Sequence, residues 1–209
     1  MKRTLIFFCL LLSVTLLVGL QHDKAWTKAL DKNGVQVFLH ECNGCQTKEF
    51  KAQIVINVPM EKVFNLLLSF KDIPKYIYAN RGTFLLEKKS PDEYIYYTII
   101  KSPKPVEDRD LVVDFKIMEH TAQRCYIKTS TIPDFVSENP GYIRVKVFTG
   151  SWELIKLSDN QTKVITASYS EPGGKVPAWI INTFIVTGPY STLVKMRQIL
   201  DPGSKPVPD

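Results

Sequence analysis

Along residues 35–58 and 83–169, hydrophobic and polar side chains alternate with a period of two, the pattern of half-buried strands. "VQVFLHE" alternates from Val35, and in "AQIVINV" the residues Ala52, Ile54, Ile56 and Val58 share one face. The period then changes. "PMEKVFNLLLSF" from Pro59 carries Val63, Leu66, Leu67 and Phe70 at helical spacing, a single apolar stripe suited to packing on a sheet. Asn57 is placed to cap this helix, and a proline in its first turn forfeits no hydrogen bond.

Strands resume at Thr83. "TFLLEKK" and "EYIYYTIIK" are separated by the turn signal Ser90-Pro91-Asp92. "DLVVDFKIM" sets Leu111, Val113, Phe115 and Ile117 on one face, and "RCYIKTST" does the same with Cys125, Ile127 and Thr129. "YIRVKVFTGSWELIKL" begins with Ile143, Val145 and Val147 inward, then changes parity to Trp152 and Leu154. The change predicts a bulge between Phe148 and Gly150, which would also curve the strand. "KVITASY" follows the turn at 158–160. Helical patterning frames the series. "WTKALDKN" from Trp26 reads as a short amphipathic helix ending at Asn33-Gly34. "VPAWIINTFIVTGPYSTLVKMRQIL" reads as a long helix broken at Gly188-Pro189, or as two in tandem. Residues 201–209 form a frayed tail.

Short strands joined by hairpin turns exclude a parallel βαβ scheme. The expectation is an α+β fold: a curved antiparallel sheet of about seven or more strands around a long C-terminal helix, enclosing an apolar cavity. The opening residues lie outside it. Lys2-Arg3, the apolar run Leu5 to Leu20 and the polar "QHDK" have the layout of a signal peptide over residues 1–19, with an uncleaved anchor as the alternative. The protein is therefore expected to be exported, to the periplasm or the medium. Composition changes little: the chain has 209 residues, 44% of them hydrophobic, and a net charge of +6. The basic residues are scattered without aromatic interleaving, which argues against nucleic-acid binding and leaves a transient attraction to anionic membranes.

The candidate chemistry is sparse. Cys42 and Cys45 flank the turn-forming pair Asn43-Gly44, and the expectation is a local disulfide, or free thiols on a loop. With only His22, His40 and His120 and no second cysteine pair, neither a metal set nor a nucleophile-base pair stands out, and no cofactor is implied. The oddest feature is Glu107-Asp108-Arg109-Asp110, a charged quartet leading directly into an apolar strand. An arginine taken out of water needs a partner, so Arg109 is expected to meet a neighbouring carboxylate, Asp110 first. That ion pair would pin the strand; the functional alternative is a polar point that meets a headgroup or hydroxyl of a ligand.

Here "EDRDLVV", followed downstream by Gly174, Pro177 to Trp179, Ile181-Asn182 and a closing helix, resembles the START domain, the lipid-transfer domain related to the steroidogenic acute regulatory protein. The likeness spans residues 26–200. It implies a helix-grip fold around a tunnel for one lipid, sterol or similar molecule, carried by a monomer. The tunnel would draw on Arg109, Val113, Phe115, Ile127, Trp152, Tyr169, Ile180 and Phe184. Trp152, Tyr169, Trp179, Tyr94, Tyr96 and Tyr97 are candidates for a cage around a choline-like headgroup. The uniformly apolar alternation after Arg109 points instead to a weakly polar ligand. Because related helix-grip proteins include cyclases and aromatases, a small enzyme on the same cavity is the competing reading, and a vestigial pocket a third.

Overall fold

A computed structural model describes residues 25–41 and 44–203. The proposed leader, Cys42 and the last six residues lie outside the described residues.

Among the described residues, ten strands form one sheet, antiparallel in the order β1-β2-β3-β10-β9-β7-β6-β5-β4, with a short β8 parallel to β6. The strands are β1 (Thr27–Lys32), β2 (Val35–His40), β3 (Glu49–Ile56), β4 (Asn80–Ser90), β5 (Glu93–Ile100), β6 (Arg109–His120), β7 (Arg124–Thr131), β8 (Ile143–Arg144), β9 (Val147–Ser158) and β10 (Gln161–Glu171). Helices α1 (Met60–Leu68) and α2 (Ile73–Tyr76) connect β3 to the far edge strand β4, and α3 (Ala178–Leu200) closes the chain. The sheet curves around α3 without closing, since β1 and β4 remain its two edges.

Four local expectations are corrected. Residues 27–32 are a strand, not a helix. Asn33 and Gly34 both have positive φ, 51° and 71°. They form the tight turn of a β1–β2 hairpin, so the Asn-Gly pair turns a strand rather than ending a helix. The parity change between Val145 and Trp152 comes from a break, not a bulge. β8 leaves the sheet as a two-residue parallel partner of β6, and β9 starts afresh at Val147, pairing with β10 in unbroken register from Val147 to Lys156. Val147 accordingly faces out, 40% exposed. Finally, α3 runs unbroken through Pro189, which is buried within it. Asn57 does not cap α1 either; its side chain accepts from Gln161.

Two sets of contacts grip α3. On one side Asn33 donates to the Tyr190 hydroxyl at 2.7 Å and its carbonyl accepts from Arg197 at 2.8 Å. On the other the Tyr78 backbone N–H donates to Thr192 at 3.0 Å, and the Tyr78 ring meets Phe184 edge-on at 5.2 Å. The core beneath is uneven. Towards α1 the concave face is solid: Ile54, Ile56, Val63, Leu67, Ile127, Leu154, Leu193 and Met196 are all essentially inaccessible. Phe70 sits there among Tyr94, Tyr96 and Phe115, with ring centroids 5.3–5.6 Å apart. Full burial of each such side chain stabilises the fold by about 1.5–3 kcal/mol. Towards the other end of the sheet, under the first half of α3, the same face is hollow.

Candidate functional site

The hollow is a cavity of about 370 Å³ between the concave face and residues 180–192 of α3. Its size falls within the ~300–1,000 Å³ of small-molecule pockets. Strand alternation decides its walls, because every second residue of β5, β6, β9 and β10 faces the helix. Tyr96 and Thr98, Leu111 and Val113, Phe148 and Trp152, and Thr166 and Ser168 line it from the sheet; Ile180, Phe184 and Ile185 roof it.

Of the sequence-derived residues, Arg109, Val113, Trp152, Ile180 and Phe184 line the cavity. Phe115 and Ile127 are on the same face but in the solid end, 3% and 0% exposed, where the Phe70 segment and α1 leave no space. Tyr169 is on the opposite face from Ser168; its hydroxyl donates to Glu171 at 2.7 Å and accepts from the Gln46 N–H. The aromatic cage does not form. Tyr94 is in the solid core with its hydroxyl on the Pro91 carbonyl, Tyr97 turns outward to Asp110, and Trp179 is 63% exposed.

The Arg109–Asp110 ion pair is also corrected. Neighbours on a strand point to opposite faces, so the two side chains part company. Asp110 receives Arg144 in a bidentate pair, Nε to Oδ1 at 3.0 Å and a terminal nitrogen to Oδ2 at 2.9 Å, with the Tyr97 hydroxyl also donating to Oδ2. Both charged side chains are 1% exposed. The carboxylate holds the Arg144 guanidinium above its ordinary pKa, while burial and the hydrogen bond to Asp110 push the Tyr97 phenol up to about 12. Arg144 additionally donates to the carbonyls of Pro133, Val136 and Ser137, fixing the β7–β8 loop.

Arg109 turns instead to the cavity mouth. It donates to the Ser102 hydroxyl and the Glu107 carbonyl on the β5–β6 loop, and to the carbonyls of Pro172 and Gly173 on the segment leading into α3. One guanidinium therefore ties together the two loops that frame the opening. Burial lowers its pKa, opposed by the nearby charges of Glu107 and Asp108; an arginine keeps its charge regardless.

Sequence reasoning missed the neutral polar part of the wall. Thr129 and Ser168 present hydroxyls there with Gly150 between them, beside the hydroxyl of Tyr96, which the sequence offered only as an aromatic for a cage. The available signals were the parity of Thr129 with Ile127 and a glycine inside a strand, which marks close approach as well as bulges. Cys125 is buried in the solid end, its thiol pushed up to about 12 by desolvation, and is chemically quiet. Cys45 is disulfide-bonded.

Residues 19–202 match the family model for the START domain. The chain belongs to the START family. An uncharacterised protein of Pseudomonas aeruginosa is 31% identical over 173 residues, covering 82% of this chain and 85% of that one. The phosphatidylcholine transfer protein of Mus musculus is 28% identical over 103 residues, 47% of this chain and 48% of that protein. Among solved structures, a STAR-related lipid transfer protein fragment from Xanthomonas axonopodis superposes with a TM-score of 0.78 at 23% identity, over 85% of this chain and 99% of that one. At that identity the likeness is one of fold. It matches the START helix grip: a curved antiparallel sheet holding a long C-terminal helix over a cavity.

Proposed function

We propose that this protein binds one hydrophobic molecule of the lipid class in its START cavity and carries it in the aqueous space outside the cytoplasm, as an exported monomer that meets membranes transiently. The carrying observation is the chemistry of the wall. Among the described lining residues there is no aspartate, glutamate, histidine or cysteine; apolar side chains and neutral hydroxyls make up nearly all of it, with Lys48 and Arg109 as the only charges. Acid-base or nucleophilic catalysis most often draws on a carboxylate, imidazole or thiol beside the reacting atom; here the wall offers only Lys48, paired with Glu41, and the phenols of Tyr78 and Tyr96, the latter kept protonated by burial, so this lining favours carriage over the cyclase-like alternative. Energetics supports occupancy. Left closed, dry and empty, 370 Å³ would cost on the order of 9 kcal/mol at ~24 cal/mol per Å³, an upper bound comparable to a whole domain's stability.

The Arg109 clasp supplies a route. Prising the β5–β6 loop from the α3 entry segment would open the mouth without disturbing the solid end. Native mass spectrometry of protein purified without detergent, with extraction of what dissociates, tests the reading. One lipid per chain is the expected result. Protein that arrives bare and takes up nothing from a panel of phospholipids, fatty alcohols and sterols would overturn it.

A further inference from the structure

Across three adjacent strands the cavity wall carries Thr129 (β7), Gly150 (β9) and Ser168 (β10) in direct register. Phe50 and Phe115 extend the same row on either side. Gly150 makes room for its neighbours: a β-carbon there would lie 2.7 Å from the Thr129 hydroxyl oxygen and 3.1 Å from the Phe148 ring, which together fill the space over the glycine. The Thr129 hydroxyl thus points into the space above the glycine. Thr129 is 6% exposed, yet its hydroxyl makes no hydrogen bond among the described residues, and neither does that of Ser168. Other wall hydroxyls are already engaged: Thr166 donates to the Ser151 carbonyl, Thr98 to Gly82, and Thr192 accepts from Tyr78. The Tyr96 phenol also lines the cavity without a hydrogen-bond partner among the described residues, and burial raises its pKa so that it keeps its proton as a donor.

All three hydroxyls face the cavity with no protein partner among the described residues, so the notch of Thr129 and Ser168 beside Gly150, with the phenol in the same cavity, is complementary to a polar atom that the protein does not supply. We infer that the Thr129–Gly150–Ser168 notch, together with the Tyr96 hydroxyl, is a subsite for a single uncharged hydroxyl or carbonyl on an otherwise apolar ligand. This rests on the lipid-binding reading and narrows it to neutral polar lipids such as long-chain alcohols, sterols or diacylglycerols. A charged headgroup has no place at the notch. Burying an ion without a counter-charge is far costlier than burying a hydroxyl, and no lining carboxylate is present to pair with a quaternary ammonium. The two lining cations, Lys48 and Arg109, work against such a cation too; Lys48 is paired with Glu41 at 2.9 Å and Arg109 with loop carbonyls.

Three amphiphiles of equal chain length separate the possibilities: 1-dodecanol, dodecanoate and dodecyltrimethylammonium, each scored by displacement of a bound fluorescent fatty probe. Wild-type protein is expected to hold dodecanol at least about tenfold more tightly than the ammonium. Thr129→Val keeps the shape and removes the hydroxyl; it and Ser168→Ala are each expected to weaken dodecanol about three- to tenfold, the scale of one hydrogen bond. Both should leave the charged competitors unchanged, and Gly150→Ala should also weaken dodecanol, because the added methyl displaces the Thr129 hydroxyl. Unaltered dodecanol affinity in both Thr129→Val and Ser168→Ala, or tighter binding of the ammonium, would overturn this inference while leaving lipid binding intact. Failure of all three to displace the probe, with protein bare by native mass spectrometry, would overturn both.

Discussion

The two ends of the concave face are built from the same strands and behave oppositely. Towards α1 the inward positions are Ile54, Ile127 and Leu154, and Phe70 with α1 fills the bowl against them. Towards the mouth, along the same β7, β9 and β10, the inward positions are Thr129, Gly150 and Ser168, and α3 lies over them without descending into the space. Stability resides where the bowl is filled. A row of branched aliphatics closed by a helix makes a solid core, whereas small and hydroxylated residues under the same curvature leave a cavity. The solid end holds the fold; the hollow end is free to exchange its contents. Around a small apolar cluster of Leu111, Val113 and Val145, polar fastenings secure the mouth: the Arg144–Asp110 pair on the outer face and the Arg109 clasp between loops.

The comparison breaks most sharply at those fastenings. Asp110→Ala strands the buried Arg144 charge and should cost about 3–5 kcal/mol in urea unfolding, more than loss of any single cavity-lining side chain. Leu154→Ala, in the solid end, should cost about 2–5 kcal/mol by leaving a void that its tightly packed neighbours cannot fill. Phe184→Ala removes an aromatic of similar bulk from the hollow end. It should lower stability by only ~1 kcal/mol, since one side of the ring already faces open space, yet weaken binding of an apolar probe about tenfold. If Leu154→Ala and Phe184→Ala proved equally destabilising, the division between ends would fail.

The smallest expected effect is in alkali. Burial raises the phenols of Tyr76 and Tyr96, at the junction of the two ends, above their ordinary value. The unfolded chain therefore sheds these protons first. The folded state keeps its full margin below about pH 10 and loses it progressively as pH rises from there towards the folded values. Urea midpoints at pH 8 and pH 10.5 should differ accordingly, and Tyr76→Phe with Tyr96→Phe should flatten the slope.

Much of the fold was legible because most strands are half-buried and announce it by alternation. β2, β3, β5, β6 and β7 fall where the pattern puts them, and the Val63-Leu66-Leu67-Phe70 stripe is the buried face of α1 and the turn after it. β1 was not legible, because an edge strand that is exposed on nearly every residue has no buried face to produce alternation. Nor was the β8–β9 break, since a bulge and an interruption shift parity identically. In the site, residues facing α3 are recognisable by parity, which marks Val113 and Trp152, but parity equally marks Phe115 and Ile127. Position along the strand, not facing, separates cavity from core.

The information carried by the amino-acid order alone is therefore local: the periodicities, the turns, the closing helix, and the Arg-Asp and Gly-Pro-Trp segments that carry the START resemblance. These depend on neighbours a few residues apart, whose geometry a strand or helix prescribes. Only the tertiary structure decided that Arg109 holds loop carbonyls while Asp110 takes Arg144 from 34 residues away, and that Thr129 and Ser168 face each other across Gly150. Partner choice for a buried charge, and the location of an unfilled space, depend on which distant segments the sheet's curvature brings together.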